Sequence, residues 1–115
     1  MELIEKRHLT KQEESILEKL ISKSNINISF NWKEDLLVSN LADGGMGSLS
    51  LYPPGVADKE RKFGSQVSDC QFKDTDGVTV IASLYLDREG NMYELDMWKT
   101  DFSPFKEIST DFQNI

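Results

Sequence analysis

Cysteine and histidine are almost missing from this chain, with one of each in 115 residues. With Cys70 alone, no internal disulfide and no thiolate metal cluster can form. Its apolar neighbours Val67 and Phe72 mark the thiol as a small buried hydrophobe in preference to a nucleophile. His8 lies in the N-terminal segment without a serine or cysteine placed to complete a triad, so it reads as an exposed or helix-packing side chain. Long hydrophobic runs are missing too. No stretch approaches the roughly 20 apolar residues that span a bilayer. Glu2, Glu5, Lys6 and Arg7 place charge where a signal peptide would need an apolar core. A cytoplasmic protein with no membrane partner is expected.

Positive charge is also scarce. Thirteen Lys and Arg face 20 Asp and Glu, giving a formal charge of −7 and a pI near 4.6. Nucleic-acid affinity leans on Lys and Arg neutralising phosphates, so no nucleic-acid partner is expected. The field suits a basic protein partner, whose approach it would accelerate. An acidic surface also serves solubility alone. Hydrophobic residues at 38% and aromatics at 10% argue against disorder. A chain of this length forms one domain, residues 1–115, around a single core.

What is present centres on Asp76 to Phe102. Val78, Val80, Ala82, Leu84 and Leu86 alternate with Thr79, Ile81, Ser83 and Tyr85. Beyond the polar break Asp87-Arg88-Glu89-Gly90, Tyr93, Leu95 and Met97 alternate with Met92, Glu94, Asp96 and Trp98. Period-two alternation of β-branched and aromatic residues predicts two paired strands, 78–86 and 91–99, with one face buried. A short loop ending in Gly90 makes the pair an antiparallel hairpin.

Upstream, Thr10-Lys11-Gln12-Glu13 fits a capping box. Ile16, Leu17, Leu20 and Ile21 follow as one stripe of a helix of about three turns, stopping near Ser24-Asn25. Such a helix is marginal alone and must pack on the sheet. Ile26, Ile28, Phe30 and Trp32 alternate as a strand or extended segment. Further strands are expected at Leu36–Leu41, Leu49–Tyr52 and Gly64–Phe72. In the last, the apolar phase slips between Val67 and Cys70, as a β-bulge would cause. The fold class expected is α+β, an N-terminal helix on an antiparallel sheet of about four to six strands.

Three stretches invite chemical readings. Asp43-Gly44-Gly45-Met46-Gly47-Ser48 resembles a phosphate loop but lacks the Gly-Lys-Ser/Thr ending and a following helix, so a tight structural turn is expected. Asp74-Thr75-Asp76-Gly77 resembles the opening of a calcium loop without its later ligands, and reads as a hairpin turn. Glu94 and Asp96 share a strand face, and with Asp76 and Lys99 they suggest a metal-dependent hydrolase or nuclease. Met97 stands where the usual acidic-x-Lys ending would need a carboxylate. Trp98 is expected partly buried against Ser103-Pro104-Phe105, with Asp101 holding that turn through backbone amides.

The strings Arg7-His8-Leu9-Thr10 with Glu13 or Glu14, Leu41 to Leu49, the Asp74 to Gly77 turn, and Tyr93 to Pro104 resemble a bacterial family of small proteins of unknown function, DUF6984. The resemblance covers nearly the whole chain. It implies a shared fold and brings no catalytic residues. In general type, a small acidic α+β protein is also similar to the immunity proteins of bacterial toxin systems. Two functions from different classes follow. The first is a non-enzymatic immunity protein without cofactor or metal. It would neutralise a basic cognate toxin through exposed carboxylates at Asp74, Asp76, Asp87, Glu89, Glu94 and Asp96. The second is the hydrolase.

Overall fold

A computed structural model gives the fold and describes residues 5–108 and 111–115. Strand β1 (Arg7–His8) leads into helix α1 (Lys11–Ser24), and a single helical turn, α2 (Trp32–Asp35), precedes five further strands. These are β2 (Leu37–Asn40), β3 (Leu49–Tyr52), β4 (Phe63–Lys73), β5 (Thr79–Asp87) and β6 (Met92–Lys99). All six strands form one sheet in the order β1-β2-β3-β6-β5-β4, and every neighbouring pair is antiparallel. The α+β class and the strand number agree with the sequence reading. Among these residues no helix is long and apolar enough to cross a membrane.

Helix α1 starts as its sequence dictates. The Thr10 hydroxyl accepts from the Glu13 amide at 3.1 Å, and the Glu13 carboxylate accepts from the Thr10 amide at 2.9 Å. Two orphan donors of the first turn are satisfied this way. Asn25 ends the helix in the left-handed conformation, φ 61°. Ile16, Leu17 and Leu20 are fully buried, and α1 lies against β4 and β5. Burying each such side chain stabilises the fold by about 1.5–3 kcal/mol, far more than helix propensity supplies.

The expected hairpin is present. Leu84 pairs with Leu95 and Val80 with Lys99, while Tyr93 is the extra residue of a bulge between Leu86↔Met92 and Tyr85↔Glu94. The Asp87 carboxylate accepts the Glu89 and Asn91 amides at 2.9 Å each, and Gly90 at φ 85° closes the turn. In β4 the register shifts between Gln66 and Ser68, which leaves Val67 unpaired, and again between Phe63 and Ser65. Alternation then sorts the sheet into two faces. Val38, Leu49, Leu51, Cys70, Phe72, Val80, Ala82, Leu84, Leu95 and Met97 join the buried core with α1. The side chains that alternate with them on β5 and β6, Ile81, Ser83, Tyr85, Glu94, Asp96 and Trp98, occupy the opposite face.

Two segments differ from expectation. Residues 26–30 form no ladder, although Ile26, Ile28 and Phe30 pack against the core, and Trp32 begins α2 instead of ending a strand. Alternation there reports which side chains turn inward, without a partner strand to pair. Strand β1 has no counterpart in the sequence reading, because its two residues are fixed by pairing with Leu37 and Val38.

Candidate functional site

Strand β6 lies between β3 and β5, so its side chains on the face opposite the core stand in the middle of the sheet. Glu94 is flanked by Ser50 on β3 and Tyr85 on β5, and Asp96 faces Ser83 on β5. Both carboxylates are half-buried. Partial burial raises the Glu94 carboxyl above its ordinary pKa, and the neighbouring Asp96 charge raises it further. Burial also raises Asp96. The Ser48 hydroxyl opposes that rise from 3.4 Å, while Asp43 adds to it. Ser48 is fixed in turn by accepting the Met97 amide at 2.8 Å. The same negative field reaches Tyr85, whose hydroxyl is raised first by burial and then by Asp96. Among the described residues, no lysine or arginine forms an ion pair with Glu94 or Asp96. A carboxylate pair set among hydroxyls and rings, half out of water and without its own cation, can recognise a positively charged group.

At the end of β6 this face carries two exposed rings. Trp98 is 39% exposed and Phe102 69%, with centroids 5.8 Å apart and planes tilted by 55°. The expected burial of Trp98 against Ser103-Pro104-Phe105 is therefore corrected. Pro104 and Phe105 lie instead against the glycine loop, where a β-carbon on Gly45 would come within 3.3 Å of Pro104 and one on Gly47 within 2.8 Å of the Phe105 ring. The part expected of Asp101 is present. Its carboxylate accepts the Ser103 amide at 3.0 Å and the Ser103 hydroxyl at 2.6 Å.

The other candidate carboxylates go elsewhere. Asp74 and Asp87 were expected at the surface, and both are buried, each 4% exposed. Asp74 accepts from the Lys99 ammonium at 2.9 Å and from the amides of Thr75, Lys106 and Glu107 at 2.7–3.0 Å. Burial pushes its carboxyl up, but Lys99 and the three amides outweigh burial and bring the pKa down to about 2. Asp76 completes the pair from the rim, 2.5 Å from Lys99, with its side chain 28% exposed. Lys99 gives its third donor to the Pro104 carbonyl at 3.2 Å. Asp87 is held by Arg61 at 3.0 Å, and that guanidinium also donates to the carbonyls of Leu51 and Met92. Glu89 is exposed.

The six residues thus divide. Glu94 and Asp96 are brought together, whereas the turns carrying Asp74 and Asp87 sit at opposite ends of β5, roughly 25 Å apart. The arrangement a hydrolase would need from Glu94, Asp96, Asp76 and Lys99 is not assembled, because Lys99 points into the core side and is fully buried on Asp74 and Asp76. Among the described residues no group of three or more His, Cys, Asp or Glu side chains is placed to hold a metal ion. Sequence reasoning missed Arg61, whose only local signal is a charge within a charged loop. It also missed Ser48, read as the end of a glycine turn.

The stretches that carried the family resemblance meet in space. Arg7 binds Glu13 at 2.8 Å and Asn40 at 2.9 Å, tying β1 to α1 and β2. Asp43 accepts the Met46 and Ser48 amides at 2.9 and 2.8 Å and so shapes the glycine loop as a structural turn. The loop then packs on the segment after β6, and the Asp74 turn is latched by Lys99. A family model described as a domain of unknown function (DUF6984) matches residues 6–109. No curated protein and no solved structure matches. The matched span takes in both helices and all six strands of the sheet, and the chain belongs to the DUF6984 family.

Proposed function

We propose that this chain is a cytoplasmic immunity protein, a binding module that neutralises a basic cognate toxin through the sheet face bearing Glu94 and Asp96. One observation carries the reading. Two adjacent carboxylates sit at the middle of a six-stranded sheet, partly desolvated, with no cation of the described residues paired to them. Unpaired, partly buried charge costs stability, so a partner's cation would find there a counter-charge already positioned and short of water. Tyr85 and Trp98 on the same face supply the aromatic area that protein interfaces favour. The net charge of −7 would steer a basic partner toward it. Asp76 and Glu89, at the rim, would act on the encounter.

Co-expression with candidate basic toxins drawn from the neighbourhood of its gene tests the proposal. Glu94→Lys with Asp96→Lys should abolish protection while the domain stays folded, and at a desolvated anchor the loss should be about 2–5 kcal/mol of binding. Glu89→Lys should slow association, with an effect that fades as salt is added. Protection that survives the double reversal would rule this face out.

A further inference from the structure

Resting on that reading, we infer that the Trp98–Phe102 corner is the anchor site for an arginine side chain of the protein partner. Phe102 is the starting point. It holds φ at 62°, a left-handed conformation that a residue with a β-carbon rarely adopts, and its ring is 69% exposed. The strain therefore recovers little burial. The conformation is imposed from both sides, by the Phe102 amide donating to the Lys99 carbonyl at 2.8 Å and by the Asp101 carboxylate binding Ser103. What this imposed geometry achieves is to set the Phe102 ring against Trp98 as two tilted walls of an open corner.

The chemistry of the corner favours a cation. Ring faces are electron-rich, and Asp96 lies two residues back on the same strand face, roughly 6–7 Å away along the strand. Three of the chain's half-buried rings already carry a cation of their own. Lys6 lies 4.4 Å over Tyr52, Lys33 5.7 Å over Trp32, and Arg61 5.1 Å over Tyr93. Among the described residues no lysine or arginine lies over Trp98 or Phe102. A planar guanidinium can stack on the indole while its fork reaches the Asp96 carboxylate, which a compact ammonium cannot do.

The test is titration of the isotope-labelled protein with octa-arginine and octa-lysine peptides at low salt, reading the indole N–H resonances. Octa-arginine should shift the Trp98 signal and leave Trp32 in place, and should bind about fivefold more tightly than octa-lysine. Phe102→Gly relieves the backbone strain, so it should keep or raise the melting temperature while removing the arginine preference. Asp96→Asn should weaken binding of both peptides. Equal affinity for the two peptides, or an arginine preference that survives Phe102→Gly, overturns the inference. So does concentration-dependent dimerisation that shifts Trp98 without peptide, because a second copy would then occupy the corner. Co-expression separates the two proposals. If Phe102→Gly protects like the parent chain while Glu94→Lys/Asp96→Lys does not, the corner is wrong and the acidic face stands. If the double reversal still protects, the acidic face is wrong, and the peptide titration alone decides the corner.

Discussion

Asp74, in the turn between β4 and β5, and Glu94, on β6, are both carboxylates, and their environments pull them in opposite directions. Asp74 has three amides and a buried ammonium to stabilise its charge, so its pKa falls to about 2. A carboxyl depressed in the folded state contributes stability that is present above its unfolded pKa of 3.8 and is lost as pH falls through about 2. That contribution is about 2 kcal/mol, and urea unfolding between pH 5 and pH 2 should show it disappearing. Asp74→Ala should cost more, about 3–5 kcal/mol at pH 7, because Lys99 is left buried with only a rim partner. Glu94 behaves the other way. Its raised pKa means the folded state resists ionisation, so any stability linked to it is present at low pH and lost as pH rises through the folded pKa. Glu94→Gln should therefore stabilise the domain at pH 7 by a few tenths of a kcal/mol, discounted for exposure, and by nothing measurable near pH 3. A sequence lists these two residues as equals. Burial of Asp74 depends on Lys99 and that of Asp87 on Arg61, and in each case the partner comes from a different element brought close only by the fold.

The elements that were legible are those whose signals lie within a few residues of one another. Thr10 and Glu13 announce the start of α1, and the alternation either side of residues 87–90 announces β5 and β6. Thr10→Ala should cost about 1 kcal/mol, seen as a lower urea midpoint with unchanged slope. Strand β1 was not legible because two residues carry no period, and residues 26–30 misled because an inward-turning loop alternates as a strand does. The bulges of β4 were half legible. The phase slip near Val67 was visible, but Gly64 has no sequence signal for its role. A β-carbon there would stand 2.4 Å from the Asp87 carbonyl oxygen, so at this point β4 and β5 approach so closely only because that carbon is missing. Gly64→Ala should pry the strand ends apart, cost at least about 1–3 kcal/mol, and loosen the Arg61–Asp87 pair as well. Hydrogen exchange at Asp87 and Arg88 would report it. Along the outer edge of β4, the Lys23 ammonium donates to the Asp69 carbonyl and Gln113 pairs with Gln71. The edge is thus partly closed to strand addition.

For the whole molecule, the candidate site was legible as a carboxylate pair on one strand face. It was not legible as the middle of the sheet, because strand order is set by pairing at long range. Leu49 pairs with Leu95, and Ser50 with Glu94, so β6 joins the strands made early to those made late. A chain growing from its N-terminus meets this order in time. Strands β1 to β3 emerge with the β3 edge open, and synthesis at about 5–20 residues per second leaves that edge waiting on the order of seconds for β6. Until then Leu49 and Leu51 are flanked by β2 on one side only, and the nascent chain is exposed to proteases and chaperones. Ribosome-stalled chains ending before Met92 should be cleaved readily within residues 37–52. Those extended far enough to free Lys99 from the exit tunnel should become resistant across β2, β3 and β5 together, in a single step.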